Sequence, residues 1–176
     1  MNDTKQVAKD LLGKTLIRKI GTQVLSGVIT ETEAYKGKND PASHASRKKT
    51  ERNKIMFGEV GVAYVYFTYG MHYCFNVVAK KNNDKAGAIL IRAIQPQQGI
   101  NHMIKNRKTD IVSNLANGPG KLTQAMQITL KQYNLDLTKN SSLFIIDGKK
   151  PAKIIAKPRV GIKTEINKLW NFSFKI

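Results

Sequence analysis

An apolar and aromatic run covers residues 60–79 and is broken only at Gly70. Such a run is typical of strands, and the Tyr69-Gly70-Met71 stretch permits a turn, so residues 62–78 are predicted to form a β-hairpin. Six of the 13 aromatic residues fall between Tyr64 and Phe75. The chain is therefore expected to build on an antiparallel sheet.

The rest of the chain predicts further strands and a few short helices. Strands are predicted at residues 14–20, 24–35, 86–94, 143–146, 153–155 and 171–176. Helices are predicted at residues 4–12 and 96–107, and residues 115–126 hold a Gly-Pro-Gly turn that runs into a third helix. Asn2, Asp3 or Thr4 would cap the first helix, and Pro96 would lie in the first turn of the second. Because strands outnumber helices and mostly follow one another, we expect one mixed α+β domain at residues 1–176.

The charge of the chain restricts its partners. Thirty Lys and Arg against 12 Asp and Glu leave a net charge of +18, which implies a polyanionic partner, most simply nucleic acid and less often a membrane surface. No apolar run approaches the roughly 20 residues of a membrane-spanning helix. The single cysteine, Cys74, excludes an internal disulfide framework and fits a reducing compartment. Cys74 and three scattered histidines lack zinc-site spacing, so no metal site is expected.

Two of the scarce acids lie at the end of a predicted strand. Strand side chains alternate between faces, so Glu31, Glu33 and Tyr35 share one face, next to the long polar loop at residues 36–52. A carboxylate beside an aromatic ring in such a place can act as a general base. From the spacing alone, a solvated strand end whose acids offset nearby lysines is the simpler interpretation.

The predicted hairpin places Tyr69 at its turn. An aromatic side chain there is not easily buried by its own strands, and on a basic protein it can stack on bases or wedge between them. Cross-strand aromatic pairing is the alternative, and it is the simpler interpretation for the other aromatic residues of the hairpin. For Tyr69 both interpretations stay open.

Two further segments carry charge in unusual places. Arg92 lies in the apolar strand at residues 86–94, so it must reach solvent or find an anionic partner such as Glu33. Residues 117–121, Asn-Gly-Pro-Gly-Lys, precede a predicted helix, where backbone amides and Lys121 can hold a phosphate. The segment is not a nucleotide P-loop, because Leu122 stands where that loop needs Ser or Thr. An ordinary helix-entry turn is the alternative.

Several motifs follow one another in a specific order from about Val7 to the C-terminus. They are Glu31-Thr-Glu-Ala-Tyr35, His44, Arg52-Asn53, Met56-Phe57, Tyr64-Val-Tyr66-Phe-Thr-Tyr69-Gly-Met71, Asn76, Leu90-Ile-Arg92-Ala93, Gly118-Pro-Gly-Lys-Leu122 and Arg159-Val-Gly161. Each motif alone is weak, but the ordered set resembles the alkyladenine (3-methyladenine) DNA glycosylase family.

The resemblance implies a monofunctional enzyme of base excision repair that hydrolyses the N-glycosidic bond of alkylated or damaged purines. It implies a curved, largely antiparallel, open-barrel-like sheet flanked by helices, with a protruding β-hairpin that enters the minor groove. The implied partner is double-stranded DNA containing damaged purines, and no metal or organic cofactor is implied. We further expect a monomer that is cytoplasmic and associated with a bacterial nucleoid.

The resemblance also assigns roles in the chemistry and in base flipping. Glu33 would be the general base that activates the attacking water, which Arg92 and the backbone carbonyl of Val160 would help to hold. A base inside a duplex must be flipped out before a side chain can reach it. Tyr69 would fill the gap left by the flipped nucleotide, with Met71 beside it.

The remaining roles concern the base pocket and the DNA backbone. Tyr35, His44 and Tyr66 would be the stacking walls of the pocket. Asn76 would crowd the amino group of normal guanine. Lys121 would lie near the DNA backbone.

Two alternatives to an active glycosylase remain at this point. A non-catalytic basic nucleic-acid-binding module explains the charge and the aromatic hairpin equally well, but not the joint presence of Glu33, Arg92 and Asn76 in the ordered set. An inactive member of the same family is the second alternative. Base release from methylated DNA separates the three possibilities.

Overall fold

The computed structural model describes residues 3–163 and 167–175. Its strands in chain order are β1 (Thr15–Ile20), β2 (Gln23–Lys36), β3 (Ala63–Thr68), β4 (His72–Val78), β5 (Gly87–Gln98), β6 (Leu143–Ile146), β7 (Ile155–Lys157) and β8 (Asn171–Ser173). Its α-helices are α1 (Thr4–Asp10), α2 (Ile100–Arg107) and α3 (Pro119–Ala125). Short 3-10 helices cover Lys54–Phe57, Val112–Asn114 and Leu130–Gln132.

All eight described strands join one sheet. Along its main path the order is β3-β4-β5-β2-β1-β6, while β8 pairs with β2 and β7 with β8. Every one of these pairings is antiparallel. The sheet curls into a half-barrel, which confirms the expected mixed α+β fold with a curved antiparallel sheet.

One hydrophobic cluster forms most of the core. Leu16 of β1, Leu25 and Ile29 of β2, and Phe75 of β4 are almost completely buried in one cluster. Leu122 of α3 joins them. Apolar side chains at alternate strand positions therefore pack together on one face of the sheet. The polar residues of the site lie at the edge of this core.

The pairing between β2 and β5 contains register shifts that change the direction of two side chains. Ile29 pairs with Ile94 and Glu31 with Ala93, whereas Thr32 pairs with Ile91. Thr30 on β2 and Arg92 on β5 are therefore the extra residues of two β-bulges. Bulges of this kind re-aim side chains and are common next to functional sites.

The predicted hairpin is present as β3 and β4. Its register runs from Ala63 opposite Val77 to Thr68 opposite His72. The turn between the strands contains Tyr69 and Gly70, and the N–H of Met71 donates to the carbonyl of Thr68 over 3.2 Å. The hairpin of residues 62–78 is thus confirmed.

The prediction of a helix at residues 96–107 with Pro96 in its first turn is wrong. Pro96 belongs to β5, opposite Gly27, where the register of β2 shifts; proline is tolerated in sheets at such irregularities. The helix begins only at Ile100, after Gly99 with φ +75°. The predicted strand at residues 153–155 lies two residues later, as β7. Asn2 and Ile176, which belonged to the predicted first cap and last strand, lie outside the described residues.

No helix within residues 3–163 and 167–175 is long and apolar enough to cross a membrane.

Candidate active site

Glu33 is a completely buried carboxylate surrounded by donors. Its Oε1 accepts hydrogen bonds from the backbone N–H of Val160 over 2.7 Å and from Nδ2 of Asn171 over 2.9 Å. Its Oε2 accepts from the hydroxyl of Tyr35 over 2.8 Å. Burial and then the charge of Glu33 raise the pKa of Tyr35, so this phenol remains a donor at neutral pH. Both carboxylate oxygens are therefore fixed in direction.

Arg92 lies between two carboxylates. Its Nη1 is 3.5 Å from Oε2 of Glu33, and its Nε is 3.3 Å from Oε1 of Glu31. The sequence predicted an anionic partner such as Glu33, and the structure confirms that partner and adds Glu31. Asn171 joins the same two acids, because its Nδ2 also donates to Glu31 over 2.7 Å.

A cavity of about 260 Å³ opens beside this cluster. Glu33 lies one layer below it, but its partners Tyr35, Arg92 and Val160 all line it. The described part of the chain contains no group of three or more His, Cys, Asp or Glu side chains that could hold a metal ion. The groups beside the cavity are a buried carboxylate with an arginine and a backbone N–H around it.

The rings of His44 and Tyr66 form an aromatic part of the cavity wall. The rings of His44 and Tyr66 meet edge to face, with centroids 4.7 Å apart. Nδ1 of His44 lies 2.9 Å from the hydroxyl of Tyr64, whose pKa burial raises to about 12. Burial, and then the charge of Arg52, lowers the pKa of His44, so its imidazole is neutral at pH 7. The wall thus offers uncharged aromatic surface.

Asn76 lies on the strand side of the cavity with its amide fixed. Its Nδ2 donates to the backbone carbonyl of Tyr64 over 3.0 Å. None of the described residues donates to its Oδ1, and the side chain lines the cavity. An acceptor oxygen held in this way is the polar group that an entering ligand meets from this side.

Tyr69 and Met71 project from the hairpin tip. Tyr69 is 89% exposed and Met71 is 67% exposed. Tyr69 has φ +52° and Gly70 has φ +67°, the two positive values of a type I′ turn, in which Asn or Gly is the usual first residue. A bulky residue in this region of φ is an outlier, and such strain is concentrated at functional sites.

Lys121 lies in the first turn of α3, two residues after Pro119, which lines the cavity. Its Nζ donates to Oδ1 of Asn117 over 2.9 Å and also to Oδ1 of Asn114. The two amides orient the ammonium group without neutralising it.

The structure thus brings eight of the ten predicted site residues to one place. The cavity is lined by Tyr35, His44, Tyr66, Tyr69, Asn76, Arg92 and Val160, with Glu33 below it. Met71 and Lys121 do not line this cavity. Met71 follows Tyr69 across the turn, and Lys121 flanks Pro119 on α3.

Sequence reasoning missed a buried ion pair that anchors two segments of the site. Arg159 forms two hydrogen bonds of 2.7 Å each to the carboxylate of Asp40 and one of 3.0 Å to the carbonyl of Ala34. Its guanidinium carbon lies 4.7 Å from the ring centroid of Tyr35. Arg159 precedes Val160, and Asp40 begins the turns that lead to His44. The scarcity of acids was the one signal in the sequence that could have singled out Asp40.

Sequence reasoning also gave no role to three other residues of the site, Asn53, Asn171 and Arg52. Nδ2 of Asn53 donates to the carbonyls of His44 and Lys48, which closes the loop that carries the imidazole. The guanidinium carbon of Arg52 lies 4.8 Å from the ring centroid of Tyr66, on the outer side of the wall. Arg52 and Asn53 occurred in the motif set without a role, and nothing in the sequence singled out Asn171.

Comparison with known proteins gives one family for nearly the whole chain. The family model described as "Methylpurine-DNA glycosylase (MPG)" matches residues 1–175. A protein of Prosthecochloris aestuarii named "Putative 3-methyladenine DNA glycosylase" is 50% identical over 170 residues, which is 95% of this chain and 81% of that protein.

Two more relatives with the same name are similar at full length. The protein of Carboxydothermus hydrogenoformans is 46% identical over 175 residues, covering 98% of this chain and 91% of its own length. The protein of Francisella tularensis subsp. tularensis (strain SCHU S4 / Schu 4) is 42% identical over 176 residues, covering 98% and 90%. Both the full-length family match and these identities lead to one conclusion: the chain belongs to the methylpurine-DNA glycosylase family.

Proposed function

We propose that this protein is a DNA glycosylase that hydrolyses the N-glycosidic bond of alkylated purines in double-stranded DNA. The observation that carries the proposal is the buried Glu33, which is hydrogen-bonded to two lining groups of an aromatic cavity in a chain of this family. A binding module gains nothing from a fully buried, fully oriented carboxylate below its ligand pocket. The protein needs only its own residues for the reaction and works as a monomer.

The hairpin extrudes the damaged base from the duplex and so gives the cavity access to it. A base within a duplex must be extruded, at a cost of a few kcal/mol, before an enzyme can act on it. Tyr69 and Met71 are the exposed side chains of the tip, and wedges of this kind enter the minor groove and unstack base steps. Tyr69 fills the vacated space and Met71 packs beside it, while Lys121 meets the DNA backbone.

The cavity selects the damaged base. Tyr35, His44 and Tyr66 offer uncharged aromatic faces, and alkylated purines, which are electron-poor and often cationic, stack well on such faces. The side chain of Asn76, held by its hydrogen bond to the carbonyl of Tyr64, crowds the amino group of a normal guanine sterically. A cationic base is also the better leaving group, so binding and chemistry favour the same substrates.

Glu33 carries the chemical step. As the glycosidic bond lengthens, the sugar gains oxocarbenium character, and the Glu33 carboxylate stabilises this charge. The attacking water lies between Glu33, Arg92 and the backbone carbonyl of Val160, and it loses a proton to Glu33 as it adds to the anomeric carbon. The products are the free base and an abasic site.

Replacing Tyr69 by Asn distinguishes a role of Tyr69 in DNA binding from a role in the stability of the fold. Asn tolerates positive φ better than Tyr does, and the ring that is lost is 89% exposed, so thermal stability should stay the same or rise. Affinity for a duplex with a single lesion should fall by about 1–3 kcal/mol, the usual loss for a stacking aromatic side chain. Fluorescence anisotropy and thermal melting measure the two effects.

Tyr69→Phe is the matched control, because it keeps the ring, and it should bind as the unsubstituted protein does. The loss caused by Tyr69→Asn should also shrink for a lesion opposite a mismatch, where flipping costs less. A Tyr69→Asn protein that melts earlier but binds DNA normally would show that Tyr69 is a packing residue.

The net charge of +18 predicts a steep salt dependence of DNA binding. Each phosphate that the protein neutralises releases counterions, so log affinity falls against log salt with a slope of about −0.9 per phosphate contact. Titrations of undamaged duplex at several salt concentrations measure this slope. A flat plot would show that the basic surface does not face DNA.

The direct experiment on function is release of free base from methylated duplex DNA by the purified protein. Released bases are separated by chromatography, and the abasic sites that remain are counted by alkaline cleavage. Equal numbers of released bases and abasic sites are expected, without strand cleavage before alkali.

A further inference from the structure

A second cleft lies on the other side of the hairpin tip from the base cavity. It has a volume of about 690 Å³. It is lined by β1, the Met71 side of the hairpin, the end of α2, α3 and the loop after α3. Thr68 and Tyr69 line the base cavity, whereas Met71 and His72 line this cleft. The hairpin turn therefore separates the two.

The cleft contains a buried arginine without a counter-charge. Arg18 is only 9% exposed, and its Nη1 donates to the backbone carbonyls of Lys19 over 2.8 Å and Ser142 over 3.0 Å. Its Nε is buried with no hydrogen-bond partner among the described residues, and none of their carboxylates pairs with it. A guanidinium has five N–H donors and stays charged at neutral pH.

This state of Arg18 is unusual for a protein interior. Buried charges are normally paired with an opposite charge or bound to a ligand. The ion pairs of Arg92 and Arg159 follow this rule in the same molecule. Arg18 meets only two carbonyl dipoles, which use one of its three nitrogens.

The rest of the cleft suits an anion. Its lining includes Lys131 and His72 but no Asp or Glu. Neutral amides form one wall and are cross-linked, since Nε2 of Gln124 donates to the carbonyl of Asn106 over 3.0 Å and Nε2 of Gln127 to its Oδ1 over 2.7 Å. Arginine and lysine together with oriented amides are the groups that bind phosphate.

The hairpin fixes where such a phosphate would come from. The minor groove of B-DNA is about 6 Å wide, so a hairpin inserted into it has the backbone of one strand on each side. The base cavity takes the strand that carries the lesion. The cleft on the Met71 side then faces the other strand.

We propose that this cleft binds a phosphodiester group of the DNA strand opposite the lesion, with Arg18 and Lys131 as its phosphate ligands. The proposal rests on the proposed function for the insertion of Tyr69 into the groove and for the entry of the lesion strand's base into the cavity.

The test compares DNA binding by the full chain and by the variants Arg18→Gln and Lys131→Gln. Each variant should bind undamaged duplex more weakly. The slope of its log affinity against log salt should be shallower by about 0.9, which is the contribution of one phosphate contact. Lys81→Gln is the control with the same change of charge, because Lys81 is exposed and lies past the end of β4 opposite to the turn; it should leave the slope unchanged. Lys131 makes no buried contact, so its variant remains informative even if Arg18→Gln unfolds.

Single neutral methylphosphonate linkages in a duplex with one lesion identify the strand whose phosphate binds in the cleft. One such linkage in the opposite strand should abolish the difference between the unsubstituted protein and Arg18→Gln, whereas linkages in the lesion strand should not. Equal salt slopes for all four proteins would overturn the proposal. Calorimetric binding of inorganic phosphate that depends on Arg18, with unchanged DNA affinity in Arg18→Gln, would instead show a site for a small anion and would also overturn it.

The outcomes for this site and for the proposed function differ. Undamaged duplex requires no base release, so a protein that releases no base yet loses DNA affinity in both variants contradicts the glycosylase activity and supports the phosphate site. A protein that releases base normally and binds DNA equally well in all forms supports the activity and contradicts the phosphate site.

Discussion

Glu33→Gln should abolish measurable base release while lesion DNA still binds. The amide keeps the shape of the side chain but removes its charge and its ability to take a proton from water. Loss of a general base lowers rates by on the order of 10²–10⁴-fold, and loss of the charge that stabilises the oxocarbenium-like sugar adds to this. Single-turnover release of the methylated base from duplex DNA measures the rate, and anisotropy measures binding.

Glu31→Gln is the matched control for this prediction. Glu31 has the same arginine partner and shares Asn171, but it pairs with Lys157 where Glu33 accepts hydrogen bonds from Tyr35 and Val160 of the cavity lining. Its substitution should slow the reaction far less than that of Glu33. A Glu33→Gln protein with a near-normal single-turnover rate, or an equal loss in both variants, would remove Glu33 from the role of general base.

Asp40→Asn should destabilise the protein by about 3–5 kcal/mol, the usual cost of removing one partner of a buried ion pair. The side chains of Arg159 and Asp40 are 1% and 0% exposed, so the substitution leaves a cation that water cannot reach. For a chain of this size the melting temperature should fall by roughly 10 °C. Thermal unfolding followed by circular dichroism measures the change.

Glu51→Gln removes an ion pair that is exposed rather than buried, and it serves as the control for Asp40→Asn. Glu51 pairs with Lys54 over 2.7 Å, and both side chains are largely exposed, so the melting temperature should not change measurably. A similar melting temperature for Asp40→Asn and Glu51→Gln would show that Asp40 does not anchor the loop that carries His44.

The fold was predictable from the sequence where local patterns decide it. An apolar and aromatic run with a Gly-containing turn sufficed for the hairpin. The cap candidates included Asp3, which is the N-cap of α1 although its side chain makes no capping hydrogen bond. Pro96 was misassigned because proline at a helix start and proline at a β-bulge have the same local sequence. Only the pairing with Gly27, a residue distant in the chain, decides between them.

The site was predictable only in part, for the same reason. The alternation in β2 places Glu31, Glu33 and Tyr35 on one face, but the bulge that turns Arg92 toward them depends on pairing across the sheet. Contacts between distant segments supplied what was missed. Asp40 and Arg159 are 119 residues apart in the chain, and Glu33 and Asn171 are 138 apart.

The deciding experiment measures the release of 3-methyladenine from methylated duplex DNA by the purified, unsubstituted protein, with excess protein over DNA. The proposed mechanism predicts free base and an equal number of abasic sites, in a single-turnover reaction that Glu33→Gln abolishes. Tight, salt-dependent binding of the same DNA without release of any base would contradict it and would make the protein a nucleic-acid-binding module built on a glycosylase fold.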